Sequence, residues 1–143
     1  MLEINGNIWD FEKQGWIVVT TNAEIRKDGK AVMGKGIAYQ AAQKFPDLPL
    51  KLAKHVQNFG NILKIWPEYG IITYPTKWYW GDDSDLILIK NGAIKLIHSP
   101  ELYGSNIYLP RLGCGCGNLH WEEVKTILEK ILVEDRFIVI SND

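Results

Sequence analysis

The sequence predicts an α/β fold in which a mixed β-sheet is covered by helices on both faces. Three observations predict it. Apolar runs alternate along the chain between short β-branched stretches and longer ones with helical spacing. The run "WIVVTT" (Trp16–Thr21) is apolar without alternation, as a strand buried on both faces requires. Twice, a buried run gives way to glycines and then to a helix start: "WIVVTTN" leads to "AVMGKGIAYQAA", and "NIYLP" leads to "RLGCGCGNLHWEEV".

Each element follows from its own stretch. After the Trp16–Thr21 strand and a polar loop, Gly36–Phe45 carries alanines and apolar residues at helical spacing and stops before Pro46. A second helix spans Leu48–Phe59 and ends at Gly60. "NILKIW" and "GIITYPT" read as strands joined by the hairpin "PEYG". Ser84–His98 is ambiguous, because Leu86–Ile89 alone suits a strand. Apolar positions continuing at Ile89, Ala93, Ile94 and Ile97, with Ser84 or Asp82 as N-cap, favour a helix. "NIYLP" is a strand, "HWEEVKTILEKIL" a helix with acidic residues near its start, and "RFIVIS" a closing strand. The order is roughly β β α α β β α β α β.

Composition limits the function classes. The 143 residues, 46% of them apolar, fit one globular domain (1–143) with a core that needs no staples. With 16 basic and 17 acidic residues, the net charge of −1 gives no general attraction for nucleic acid or an anionic membrane, so either partner would have to be recognised locally. The opening "MLEINGNIWDF" lacks a basic and then apolar leader, and no apolar run reaches the length of a spanning helix. The expectation is a soluble, unexported, cytoplasmic protein. The two cysteines, Cys114 and Cys116, are too close for ordinary disulfide geometry, and the three scattered histidines complete no ligand spacing, so neither a metal nor another cofactor is expected.

The glycine loops admit two readings. In open α/β sheets, ligands bind beyond the carboxyl ends of strands, where helix N-termini offer N–H groups and positive dipole ends; two such loops suit a diphosphate. Alternatively, the glycines only let helix and strand pack closely. Neither GKGIA nor GCGCG fits the P-loop or GxGxxG pattern. Recurrence in the same context favours phosphate. Lys77, between Pro75 and the cluster Trp78, Tyr79 and Trp80, is either a partly desolvated base or imine-forming nucleophile, or a lysine lying over aromatic surface. Asn22 suits a ribose contact or a turn, and Lys35 a phosphate contact or solvent. Asp82, Asp83 and Asp85 read as capping or solvated, or as a general base near a sugar, and His120 as a surface residue beside a helix start in preference to a catalytic one. No Ser-His-Asp set and no HExxH is legible.

"VMGKGIAYQAAQKFP", "YPTKWYW..DSDL" and "LPRLGCGCGNLHWEEV" together resemble the macrodomain family, in the branch holding DarG-type antitoxins, terminal ADP-ribose protein glycohydrolases and small phage and bacterial macrodomain proteins. The match runs in order from "GNIWDF" to "RFIVIS". It implies a three-layer α/β/α sandwich with a mixed central sheet and an ADP-ribose cleft. In that cleft, Met33, Gly34, Lys35, Gly36 and Ile37 would form one diphosphate loop. The second, comprising Leu112, Gly113, Cys114, Gly115, Cys116, Gly117, Asn118 and Leu119, would wrap the diphosphate and distal ribose. Asn7 and Ile8 would lie near the adenine, Asn22 near the distal ribose, and Thr76 with Lys77 at its anomeric carbon, Lys77 being catalytic.

The implied activity is an ADP-ribosyl hydrolase that frees a DNA base or protein carboxylate from ADP-ribose. An ADP-ribose 1″-phosphate phosphatase and a non-catalytic ADP-ribose reader are the alternatives. The partner is ADP-ribose or an ADP-ribosylated protein or DNA; no membrane partner and no extended nucleic-acid surface are expected, and the protein is expected to act as a monomer. Two features depart from the pattern. Gly117 stands where human-type relatives carry an aspartate, a feature shared with the antitoxin branch. The link "TTNAEIRKDGKAVMG" is also longer than usual, so Arg26, Lys27 and Lys30 read as a solvated turn or a local contact to a nucleic-acid phosphate.

Overall fold

Six strands and four α-helices follow one another as the apolar runs predict, in a computed structural model that describes residues 1–142. They are β1 (Leu2–Asn5), β2 (Trp16–Thr21), α1 (Gly36–Lys44), α2 (Leu48–Phe59), β3 (Lys64–Trp66), β4 (Ile71–Pro75), α3 (Leu86–Ile97), β5 (Ile107–Leu109), α4 (Trp121–Leu128) and β6 (Phe137–Ser141). The sheet order is β1-β6-β5-β2-β4-β3. Every neighbouring pair is parallel except the β3–β4 hairpin, whose turn closes with Tyr69 and Gly70 N–H groups donating to Trp66 O.

Strand alternation divides the core into two halves. Ile17 and Val19 of β2 point to the side carrying Ala41 of α1 and Leu52 and Ala53 of α2. Val18, Ile72, Tyr74 and Leu109 point to the opposite side, against Ile89 and Leu96 of α3 and Val124 and Leu128 of α4. The result is a three-layer α/β/α sandwich with a mixed sheet. Each fully buried leucine or isoleucine contributes about 1.5–3 kcal/mol relative to exposure, and most of these residues lie on the α3 and α4 side.

The ambiguous run after residue 84 is a helix because its buried positions, Leu88, Ile89, Gly92, Ala93 and Leu96, have the helical and not the alternate spacing. Its N-cap is Asp85, not Ser84 or Asp82: the Asp85 carboxylate accepts from Ile87 N at 2.8 Å. A glycine inside this helix is explained by Tyr74, whose ring occupies the space that a Cβ at Gly92 would need; the Tyr74 hydroxyl donates to Ile89 O. α4 ends at Leu128, four residues before the predicted Leu132. There Leu128 O accepts from both Ile131 N and Leu132 N, and Leu132 completes the core from a turn. Among the described residues, no helix is long and apolar enough to cross a membrane.

The chain leaves β2 towards the α1 and α2 side and leaves neighbouring β5 towards the α4 side. That divergence opens a crevice at the carboxyl ends of the central strands.

Candidate functional site

Loops leaving β2, β4 and β5 enclose a cleft of about 620 Å³, a size that suits a small-molecule ligand. Its first wall begins at buried Asn22, whose side chain accepts from Glu24 N at 2.9 Å and donates to Val32 O at 3.2 Å. These bonds clamp the two ends of the long 22–32 excursion. Asn22 therefore makes the turn that was one of its two readings, while still lining the cleft. The excursion's far end is a small hairpin: Ile25 bridges Ala31, and exposed Arg26 pairs with Asp28 at 2.9 Å. The basic cluster thus lies exposed on a turn.

Beyond Met33 the backbone opens into the first glycine loop. Gly36 has φ +57°, a conformation costly for residues with a Cβ, and it starts α1. Lys35 is the N-cap but supplies no side-chain cap, so the first N–H groups of the helix are left without a capping side chain at the cleft. Trp80 closes over this loop. A Cβ on Gly34 would lie 3.9 Å from its Nε1, and the Lys35 ammonium lies 4.9 Å from its ring centroid. Its turn is pinned to the end of β2 through Ala23 N to Trp78 O, 2.9 Å, and Trp80 N to Glu24 Oε1, 3.2 Å.

Thr76 and Lys77 follow β4 at the base of the cleft. Buried Thr76 continues the sheet by donating its N–H to Thr21 O at 3.0 Å. The Lys77 ammonium donates to Trp80 O at 3.1 Å, Asp82 O at 3.2 Å and Cys116 O at 3.5 Å. It therefore ties the aromatic turn to the second glycine loop. Buried Asn61 holds the Lys77 backbone by donating to its carbonyl at 3.1 Å.

The second loop uses its glycines in two ways. Gly113 and Gly115 adopt φ +74° and +70°. At Gly113 and Gly117 the space is also taken. A Cβ on Gly113 would stand 2.8 Å from Ile89 and Leu119 side-chain carbons, and one on Gly117 would overlap the Ser84 hydroxyl. Tightly packed glycines, Gly113 and Gly117, and exposed residues, Gly115 and Cys116, thus alternate in one loop. Burial pushes the Cys114 thiol up, with Arg111 acting weakly the other way, so Cys114 faces the cleft as a thiol and not as a thiolate nucleophile. Among the described residues, no three His, Cys, Asp or Glu side chains converge as metal ligands.

The cleft brings together Asn22, the 33–37 loop, Thr76, Lys77 and the 113–117 loop. The remaining candidates lie outside its lining. Asn7 caps a 3-10 turn with Ile8 at its start, and accepts from Trp9 N at 3.1 Å. Leu112 is fully buried in the core and Leu119 packs against it. Asn118, in the left-handed conformation, donates to Asp83 at 2.8 Å. Sequence reasoning overlooked Trp80 as a wall, and Ser84, Arg111 and Asn142 as lining. Trp80 had a signal in the aromatic cluster beside Lys77. Ser84 had only its place before a helix, which suggested a cap.

No family model matches the chain. The DNA ADP-ribosyl glycohydrolase of Thermus aquaticus is 34% identical over 112 residues, 71% of this chain and 31% of that protein. The chain thus spans under a third of that curated relative's length. Among solved structures, the macrodomain of Mycobacterium tuberculosis DarG superposes with a TM-score of 0.79 at 27% identity, covering 99% of this chain and 97% of that one. The macrodomain of T. aquaticus DarG gives 0.76 at 25% identity with the same coverages.

Proposed function

The chain is a macrodomain of the DarG type, and on that premise we propose that it binds ADP-ribose in the cleft and hydrolyses the bond joining ADP-ribose to a modified macromolecule. One observation carries the reading: Lys77 sits where the two glycine loops converge, its Nζ 3.5 Å from Cys116 O. In this reading, amides of the 33–37 and 113–117 loops hold the diphosphate, which fixes the distal ribose C1″ beside the lysine. The ammonium, freed of its carbonyl partners, first gives one proton to water, and the neutral amine then attacks C1″. The C1″ bond to the leaving group breaks, and the lysine N–H proton passes to that group. Opening of the ribose ring gives an imine, and one water molecule returns free ADP-ribose and the amine. Assistance by Lys77 to direct attack by water gives the same products.

The name of the T. aquaticus relative supports a DNA base as the favoured leaving group, ahead of a protein carboxylate. The exposed basic turn and the net charge of −1 suit entry of a single modified nucleotide better than an extended nucleic-acid track. Residues 1–143 act as one macrodomain and as a monomer in this account.

A second reading, a non-catalytic ADP-ribose reader, draws on the same lysine. Its three carbonyl contacts would also suit a structural tie between loops. Titration of wild type and Lys77→Ala with ADP-ribose, beside release assays on ADP-ribosylated DNA, glutamate-modified protein and ADP-ribose 1″-phosphate, separates the readings. The expected result is binding by both proteins and release from DNA by wild type only, with a loss of about 10²-fold or more in the variant. Binding without release from any substrate makes the protein a reader. Turnover of the 1″-phosphate alone makes it a phosphatase, and absence of binding overturns the assignment of the cleft.

A further inference from the structure

Ser84 lies in the cleft wall, 8% exposed, with a buried hydroxyl that has no hydrogen-bond partner among the described residues. Its position is tightly determined. Its N–H donates to Gly117 O at 2.9 Å, and the next residue's N–H donates to Thr76 O at 2.7 Å. Its Cβ lies where side chains at Gly113 and Gly117 would otherwise project. Both glycines that make room for Ser84 belong to the loop that also receives Lys77.

A buried hydroxyl left unpaired is destabilising, and few native polar groups are left so. We propose that Ser84 is a ligand-binding residue whose Oγ–H, turned by rotation about χ1 from the Gly117 backbone into the cleft, donates to an acceptor oxygen of bound ADP-ribose, on the distal ribose or the diphosphate. The inference rests on the ADP-ribose reading of the cleft. It adds to that reading a hydrogen-bond donor, between Lys77 and the second glycine loop, that the glycine motifs do not contain.

The test is Ser84→Ala, which removes the hydroxyl and little else. Wild type and variant are titrated with ADP-ribose and with ADP, and thermal unfolding is followed without ligand. The expected result is an approximately tenfold weaker affinity for ADP-ribose with an unfolding temperature equal to or above that of wild type. An equal loss for ADP assigns the contact to the diphosphate, and a loss for ADP-ribose alone assigns it to the distal ribose. Equal ADP-ribose affinity in the two proteins overturns the proposal. So does a lower unfolding temperature in the ligand-free variant, which would mean that the hydroxyl is satisfied within the fold. If wild type itself fails to bind ADP-ribose, the reading of the cleft falls and the role of Ser84 with it.

Discussion

Adding one methyl group at Gly117 should damage the cleft through space alone. The backbone of Gly117 is not in the left-handed region, so alanine meets no conformational penalty of that kind. A Cβ there would overlap Ser84 Oγ and stand 3.0 Å from Ser84 Cβ. The hydroxyl can rotate, but the Cβ is fixed by the Ser84 N–H bond to Gly117 O at 2.9 Å. Forcing a methyl into a packed site costs about 1–3 kcal/mol. For a domain of this size that corresponds to a fall of roughly 3–10 °C in unfolding temperature. Ser84→Gly vacates the same space, so the double variant should recover most of the loss, with a coupling of about 1–2 kcal/mol in the cycle. The assay is thermal unfolding of the four proteins, with ADP-ribose titration reporting the shape of the loop. An unfolding temperature for Gly117→Ala within about 1 °C of wild type, or strict additivity with Ser84→Gly, would refute the packing argument.

Two further perturbations probe other parts of the structure. Asn22→Ala removes both side-chain bonds that clamp the 22–32 excursion and should cost about 1–3 kcal/mol in urea unfolding; an unchanged midpoint would mean that the clamp contributes nothing. Buried His55, with a ring nitrogen 3.1 Å from Ile62 O, titrates below the usual 6.5, chiefly through burial and further through Lys64 and Lys95. A depressed folded value favours the neutral ring, so its contribution is fully present above pH 6.5 and is lost as pH falls through the folded value. Wild type should therefore lose more unfolding temperature between pH 7.5 and 5 than His55→Gln, and parallel profiles would contradict this sign.

The element order was legible because its causes are local: β-branched runs, helical spacing and terminal glycine or proline act within a turn or two. The two glycine loops were legible for the same reason. Local signals failed at cooperative boundaries. Asp82, Ser84 and Asp85 all resemble N-caps, and the bond from Ile87 N selects Asp85. No breaker marks the end of α4, which is settled by the seating of Leu132 in the core.

The amino-acid sequence by itself determined the succession of strands and helices, the placing of glycines after β2 and β5, and the presence of a lysine after β4. Tertiary structure alone decided that these three chain segments meet. The order β5-β2-β4 places side by side strands that are distant in the chain, and packing then puts Lys77 against Cys116 and Ser84 against Gly117. Periodicity and propensity report how one segment buries its own surface. Which segments become neighbours, and which buried hydroxyl is left without a partner, depends on how all the segments share one core.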